Sequence, residues 1–247
     1  MDIKQTGHKL GLIGYPLGHT FSPSFFEKKF QHLRITNSEY LAYPIENIRK
    51  VNEIFEKGVT GLNVTIPYKE QIIPYLDELS VEAFEINAVN TIKIKDGRRI
   101  GYNTDSYGFE FSLKKLIGNN SVEEALVLGT GGASKAIIFV LNKLSINFKL
   151  VSRNNNHLTY AELDEKVIEQ SQLIINTTPL GMHPKINECP DIPYSALTAK
   201  HFLYDLVYNP EKSLFLEKGE MQGCSIKNGY EMLILQAEKA WEIWNQQ

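Results

Sequence analysis

An apolar run, Ala125-Leu126-Val127-Leu128, leads directly into Gly129-Thr130-Gly131-Gly132-Ala133-Ser134 and then into a segment of helical character. Glycines at that junction permit a tight turn and let backbone N–H groups approach a pyrophosphate at a helix N-terminus. The pattern is G-x-G-x-x-[G/A] with Ser in the sixth place, and an ordinary strand-to-helix turn reads the same way. The next strand ends on Ser152-Arg153-Asn154, with Arg153 24 positions after Gly129. A site for NAD places Asp or Glu about there to hold the ribose 2′-hydroxyl. A carboxylate repels a 2′-phosphate, whereas an Arg forks onto it with two charge-assisted hydrogen bonds. The pair of features points to NADP(H), with a solvated Arg at a strand end as the plain alternative.

Three further stretches carry polar groups where a parallel sheet presents its ligand. Gly14-Tyr15-Pro16-Leu17-Gly18-His19-Thr20-Phe21-Ser22-Pro23 is a strand-to-helix loop with two hydroxyls, Thr20 and Ser22, two residues apart. Hydroxyls beside a helix N-terminus suit a carboxylate ligand, and Ser22 reads equally as a plain N-cap before Pro23. Asn63-Val64-Thr65-Ile66-Pro67-Tyr68-Lys69 alternates polar and apolar faces and sets Lys69 just past a strand end, where a lysine is ordinarily solvated. Asn90-Thr91 with Gly101-Tyr102-Asn103-Thr104-Asp105 is the third. Asn90, sharing a strand face with Ala88, Ile92 and Ile94, is either buried and paired or turned to a ligand. Asp105 serves a site or simply the first turn of a helix.

The elements that must position these groups alternate between strand and helix, the pattern of an α/β protein with a largely parallel sheet. Strands are expected at Lys9–Gly14, Glu39–Pro44 and Gly61–Ile66. Helices are expected from Ser22, over Asn47–Lys57, around Lys69–Leu76 and over Ser80–Glu85. Ala88–Lys95 and Arg98–Asn103 flank Asp96-Gly97, the dipeptide of a type I′ hairpin. Asp105–Leu116 reads as a connecting helix, followed by a βαβ unit from Ala125 to Ser152 and by strands at Gln172–Asn176, Phe202–Val207 and Cys224–Ile226. In the last helix, Tyr230–Trp244, residues Tyr230, Leu233, Ile234, Ala237, Trp241 and Trp244 share one stripe. The expected fold class is two α/β domains with a cleft between them. Residues 1–105 form a substrate-binding and catalytic domain and 106–228 a Rossmann-type dinucleotide-binding domain, with the final helix, 229–247, packing back on the first.

Composition excludes several classes. The 247 residues carry 26 Lys+Arg against 29 Asp+Glu, a net charge of −3, without the basic excess of a nucleic-acid binder. A hydrophobic share of 43% with 11% aromatics excludes overall disorder. The longest apolar run, Ala136–Leu141, is far short of the roughly 20 residues that span a bilayer. The N-terminal residues show no apolar core of a signal peptide. Cys189 and Cys224 stand alone, and none of the six histidines forms a ligand-spaced pair, so no metal is expected. His19 reads as a loop residue and His183 as solvent-facing. A cytoplasmic protein is expected, monomeric or homodimeric.

The ordered set G-Y-P-L-x-H-T-x-S-P, N-V-T-I-P-Y-K, A-V-N-T, G-Y-N-T-D, G-T-G-G-A-S, N-T-T-P-L-G-M and D-L-V-Y-N-P strongly resembles the shikimate dehydrogenase family, from about residue 9 to the final helix. The resemblance implies NADP-dependent interconversion of 3-dehydroshikimate and shikimate on the route to chorismate and the aromatic amino acids. It makes Lys69 and Asp105 the catalytic pair. It gives Thr20, Ser22 and Tyr208 to the substrate carboxylate and Thr65, Asn90, Asp105 and Gln236 to the ring hydroxyls. It assigns the cofactor to Gly129, Gly131, Gly132, Ala133, Ser134, Ser152, Arg153, Asn154, Thr177, Met182, Val207, Gly229 and Met232. Hydride reduction of a ketone builds negative charge on the carbonyl oxygen, and an ammonium such as that of Lys69 can both stabilise it and deliver a proton. A carboxylate such as Asp105 favours the charged lysine.

Two departures from the family pattern stand out: Thr20-Phe21-Ser22 replaces the usual Ser-x-Ser, and Gly229-Tyr230-Glu231-Met232-Leu233 replaces Gly-Leu-Gly-Met-Leu. Glu231 is expected in solvent. The competing readings are an NAD-dependent quinate/shikimate dehydrogenase, a non-catalytic metabolite sensor on the same fold, and a methylene-tetrahydrofolate-type dehydrogenase. Arg153 speaks against NAD, the presence of both Lys69 and Asp105 against the sensor, and N-V-T-I-P-Y-K against the third.

Overall fold

The computed structural model describes residues 7–18, 20–153 and 156–246. His19 and Asn154, both singled out above, lie outside the described residues, as do the first six. The chain divides into two compact units, residues 1–104 with 237–247, and residues 105–236.

In the first unit the apolar Lys9–Gly14 forms β1, followed by α1 (Phe21–Leu33), β2 (Glu39–Pro44), α2 (Val51–Phe55), β3 (Gly61–Val64), β4 (Glu78–Leu79), α3 (Val81–Ile86), β5 (Thr91–Lys95) and β6 (Arg98–Tyr102). These strands make one sheet in the order β2-β1-β3-β5-β6-β4. β1 pairs parallel with both β2 and β3, while β5 runs antiparallel to β3 and β6. The sheet is therefore mixed rather than largely parallel. Asp96 and Gly97 both take positive φ, 52° and 77°, as a type I′ turn requires, and this tight hairpin turns the chain from β5 into the antiparallel β6.

Sequence periodicity overstated some elements here. Lys69–Leu76 holds only a single 3₁₀ turn at Ile73–Tyr75, because Pro74 lies inside the stretch and has no N–H to donate to the carbonyl four residues back. Over Asn47–Lys57 a 3₁₀ turn at Ile48–Lys50 precedes the short α2. β3 stops at Val64, so Ile66 is exposed rather than on its apolar face.

The second unit contains α4 (Asp105–Ile117), β7 (Glu124–Leu128), α5 (Gly132–Lys143), β8 (Asn147–Val151), α6 (Glu165–Gln170), β9 (Leu173–Asn176), β10 (Phe202–Asp205), α7 (Leu214–Met221) and β11 (Ser225–Lys227). Its sheet is parallel throughout, in the order β11-β10-β9-β7-β8. Both faces are covered: Val127, Ile137, Val140, Ile175 and Phe109 fill one layer, and Leu126, Leu128, Ile174, Leu203 and Phe215 the other. Burial on two faces explains why these strands read as continuous apolar runs. Helices α6 and α7 had no expectation; each is short, and its start is marked only by a capping side chain, Asp164 and Ser213 respectively.

The final helix, α8 (Tyr230–Asn245), starts in the second unit and finishes in the first. Its last turns bury Ala237, Ala240 and Trp244 against Leu10, Phe26 and Phe30. Tyr230 falls outside the buried stripe and is 52% exposed.

Candidate active site

The two sheets share a device. In the order β2-β1-β3, successive strands leave β1 on opposite sides, and in β8-β7-β9 they leave β7 in the same way. Ligands of open α/β sheets sit at such switch points, outside the carboxyl ends of the strands. The loop after β1 carries Thr20 and Ser22; the loop after β7 carries Gly129–Gly131.

On the first unit, α1 begins at Phe21 with Thr20 at its N-cap, and the Thr20 side chain makes no capping hydrogen bond. Ser22 is therefore inside the first turn and is not the N-cap. Its hydroxyl instead meets that of Tyr40, which donates to Asn63 Oδ1 at 2.8 Å. Burial drives the Tyr40 phenol above its ordinary pKa, partly offset by the Ser22 contact, so it remains a neutral hydroxyl.

Asn63 passes the chain onward, donating to the Asn90 carbonyl at 3.2 Å and to Thr91 Oγ1 at 3.1 Å. Thr91 donates to Asn90 Oδ1, which also accepts from the Thr104 backbone at 2.7 Å. Ser22 and Asn90, distant in sequence, are thus tied by one polar network through Tyr40, Asn63 and Thr91. Asn90 lies in the bend just before β5, not within it, and it is buried and paired while keeping a second amide proton. Tyr40, Asn63 and Thr104 went unassigned in the sequence; the polar face of N-V-T was the available signal for Asn63.

Thr65 packs its methyl over Gly14, where a Cβ would come within 2.4 Å of it. Only glycine admits that approach of the two loops. Lys69 is half-buried, its carbonyl is held, and the residue before it is anchored. Val89 N donates to the Lys69 carbonyl at 2.7 Å, and the neighbouring Tyr68 hydroxyl donates to the Ile45 carbonyl at 2.5 Å.

On the second unit, Gly129 has φ +107°, and a Cβ there would lie 2.7 Å from Thr177 Oγ1. Gly131 is the N-cap of α5. A Cβ on Gly131 would meet nothing within 4 Å, so the space over that backbone is open. A cavity of about 430 Å³ lies there, lined by Gly129–Gly131, Val151, Ser152, Arg153, Tyr160 and Thr177–Leu180. Its base is a helix N-terminus, which favours phosphate, and its rim holds the exposed Arg153. The donor set fits a phosphorylated dinucleotide.

Thr178–Leu180 and Tyr160 were missed as wall residues. Position after β9 was a usable signal for the former, whereas Tyr160 opens a 3₁₀ turn, Tyr160–Glu162, marked only by the Thr159 and Glu162 that close on each other at its start. Ser134 is buried and donates to the Gly131 carbonyl at 2.6 Å, bracing the turn that includes Gly132 and Ala133. Thr177 donates to the Leu128 carbonyl.

Met182, Val207, Gly229 and Met232 are not among the walls of this cavity. Met182 is exposed, Gly229 lies against the Leu206 backbone, and Met232 is buried in the core with Phe109 and Tyr204. Asp105 is the buried first residue of α4. Tyr208 is half-buried, which raises its hydroxyl above the ordinary range, and Gln236 donates to the Leu233 carbonyl. Glu231 is not free in solvent: it pairs with Lys115 at 2.7 Å and Lys227 at 2.5 Å. Among the described residues no group of three His, Cys, Asp or Glu is placed to hold a metal, and no helix is long and apolar enough to cross a membrane.

The family model of the shikimate dehydrogenase substrate-binding domain matches residues 12–92. The NADP(+) shikimate dehydrogenase of Methanococcus maripaludis strain C7 is 38% identical, covering 95% of this chain and 90% of that protein. The shikimate dehydrogenase structure from Aquifex aeolicus matches with a TM-score of 0.87 at 35% identity, covering 98% and 94% of the two chains. That from Thermus thermophilus, solved with NADP(H) and shikimate, matches at 0.85 and 28% identity over 96% and 93%. Sequence, fold and the polar groups at both switch points agree, and the chain belongs to the shikimate dehydrogenase family.

Proposed function

We propose that this protein catalyses the reversible NADP-dependent reduction of 3-dehydroshikimate to shikimate. The observation that carries the reading is the presence, in one chain, of the clamped, half-buried Lys69 after β3 and a glycine-floored cavity rimmed by Arg153. NADPH, when bound, supplies the hydride. Gly129–Gly131 and the N-terminus of α5 hold its phosphates, and Arg153 with Ser152 selects the 2′-phosphate.

Thr20 and Ser22 hold the substrate carboxylate together with Tyr208. Thr65, Asn90 and Gln236 orient the ring hydroxyls. Lys69 stabilises charge on the carbonyl oxygen and delivers its proton, and Asp105 accepts a hydrogen bond from the resulting hydroxyl. We assign Thr20, Ser22, Thr65, Lys69 and Asn90 of the first unit to the substrate, joined by Asp105, Tyr208 and Gln236 of the second, and the cofactor to the second unit. The two free cysteines among the described residues suit a reducing, cytoplasmic location.

The test is cofactor reduction by purified protein, with shikimate and quinate each paired with NADP+ and NAD+. Fast turnover confined to shikimate with NADP+ is expected. Equal rates with quinate or NAD+ would replace this reading with the dual-specificity one, and no turnover by folded protein would replace it with a sensor.

A further inference from the structure

Asn176 and Asp205 are register partners at the carboxyl ends of the neighbouring strands β9 and β10, and both are fully buried. Asn176 Nδ2 donates to Asp205 Oδ1 at 2.9 Å. From this pair the hydrogen bonds fan out into three segments. Toward the loop after β9, Asn176 Oδ1 accepts from the Thr178 backbone at 3.0 Å and from the Thr178 hydroxyl at 2.6 Å. Asn176 Nδ2 also reaches the Leu180 carbonyl at 3.3 Å. Toward the loop after β10, Asp205 Oδ1 accepts from Val207 N at 3.0 Å. Toward α7, Asp205 Oδ2 accepts a hydrogen bond from Ser213, whose oxygen caps that helix.

A parallel sheet does not require a carboxylate here. Burying one costs several kcal/mol in order of magnitude, and an apolar residue would complete the layer formed by Leu203 and Ile174. What an apolar residue cannot do is fix two loops and a helix start at once. One of those loops, Thr177–Leu180, is a wall of the cavity assigned to the cofactor.

We propose that Asp205, acting through Asn176, is a positioning residue for the dinucleotide site, holding the 177–180 wall at the distance the cofactor needs. This rests on the NADP-binding reading above, and it gives Asp205 and Asn176 a role in that reading although neither contacts the cavity. Asp205 shapes the wall, and Ser213 anchors the carboxylate from behind.

The test is calorimetric titration of the full chain with NADP+, read beside KM for NADP+ and for shikimate. Tyr204→Phe is the comparator, since it removes another buried hydrogen bond of the same sheet, that from the Tyr204 hydroxyl to Ser112 at 2.9 Å. Asp205→Asn is expected to weaken NADP+ binding about tenfold and raise KM for NADP+ in step, with KM for shikimate within twofold of wild type. Ser213→Ala, which leaves the Asp205–Asn176 pair in place, is expected to weaken binding about threefold and serves as the measurement should Asp205→Asn not fold. Tyr204→Phe is expected to lower Tm without moving the Kd. Unchanged Kd in the Asp205 and Ser213 variants, with only Tm lowered, would overturn the proposal and leave the NADP reading intact. Wild-type protein that binds no NADP+ would overturn both.

Discussion

The hydroxyl of Tyr40 donates to Asn63 Oδ1 at 2.8 Å while its ring stacks on Phe26, with centroids 4.6 Å apart. One side chain therefore belongs at once to the apolar layer under α1 and to the polar network that reaches Ser22. Tyr40→Phe keeps the stacking and deletes the link, leaving Asn63 Oδ1 without that donor. We expect a stability loss of about 1–2 kcal/mol and a several-fold rise in KM for shikimate with kcat little changed. Urea unfolding and steady-state kinetics check both, and an unchanged KM would detach Tyr40 from substrate binding.

Removing the ammonium of Lys69 should act on turnover more than on binding. Lys69→Ala is expected to lower kcat by about 10²–10⁴, the range of a lost general acid, with a far smaller effect on shikimate affinity. Asp105→Asn is expected to depress kcat as well. Near-wild-type kcat in both variants, measured at saturating shikimate and NADP+, would remove the assigned pair.

Arg153 is assigned the 2′-phosphate and nothing on the rest of the dinucleotide. Arg153→Ala should thus raise KM for NADP+ by about 10- to 100-fold, the value of a charge-assisted pair, and leave KM for NAD+ almost untouched. The ratio of kcat/KM for the two cofactors is the readout. Equal losses with both would make Arg153 a general phosphate contact.

Trp244 closes the first unit's core: its indole donates to the Ile92 carbonyl at 2.9 Å, and a Cβ on Gly61 would lie 2.4 Å from the ring nitrogen. Trp244→Ala is expected to cost about 3–5 kcal/mol. Gly61→Ala should also destabilise, by displacing the indole. Guanidinium unfolding of both variants measures this. If Trp244→Ala falls within experimental error of wild type, the last turns of α8 are not part of the core.

Burial pushes the Asp205 carboxyl up to about 6, against the hydrogen bonds from Ser213, Val207 N and Asn176 that favour its charged form. Because the folded value exceeds the unfolded one, the protonated group stabilises the fold at low pH, and that contribution is lost as pH rises from about 4 through 6. The shift corresponds to about 3 kcal/mol. In Asp205→Asn this contribution vanishes, so the stability difference, wild type minus variant, should fall across this window and flatten above about pH 7. Unfolding free energies measured at several pH values from below the window to above it test the sign.

Much of this was legible in one dimension. The apolar run Ala125–Leu128 ending in glycines, the hairpin at Asp96-Gly97 and the spacing from Gly129 to Arg153 are local signals, since turn conformation and strand burial act over a few residues. They were enough to set the fold class, two α/β units, and to mark the glycine turn and Arg153 for a dinucleotide, whereas Lys69 gained its expected role only through the family resemblance. The limits were equally physical. Pro74 cancelled the helix expected over Lys69–Leu76, and the N-cap position expected at Ser22 falls on Thr20, whose side chain makes no capping hydrogen bond, because α1 starts at Phe21.

The partners of the polar groups were decided only in three dimensions. Ser22 meets Tyr40, Asn63 meets Thr91, and Asn176 meets Asp205 across 29 residues. Such pairings depend on which strands lie side by side, and strand order is set by the packing of whole layers, which no residue spacing records. The sequence marked candidate side chains for chemistry, and the sheet order decided which partners hold Ser22, Asn63 and Asn176.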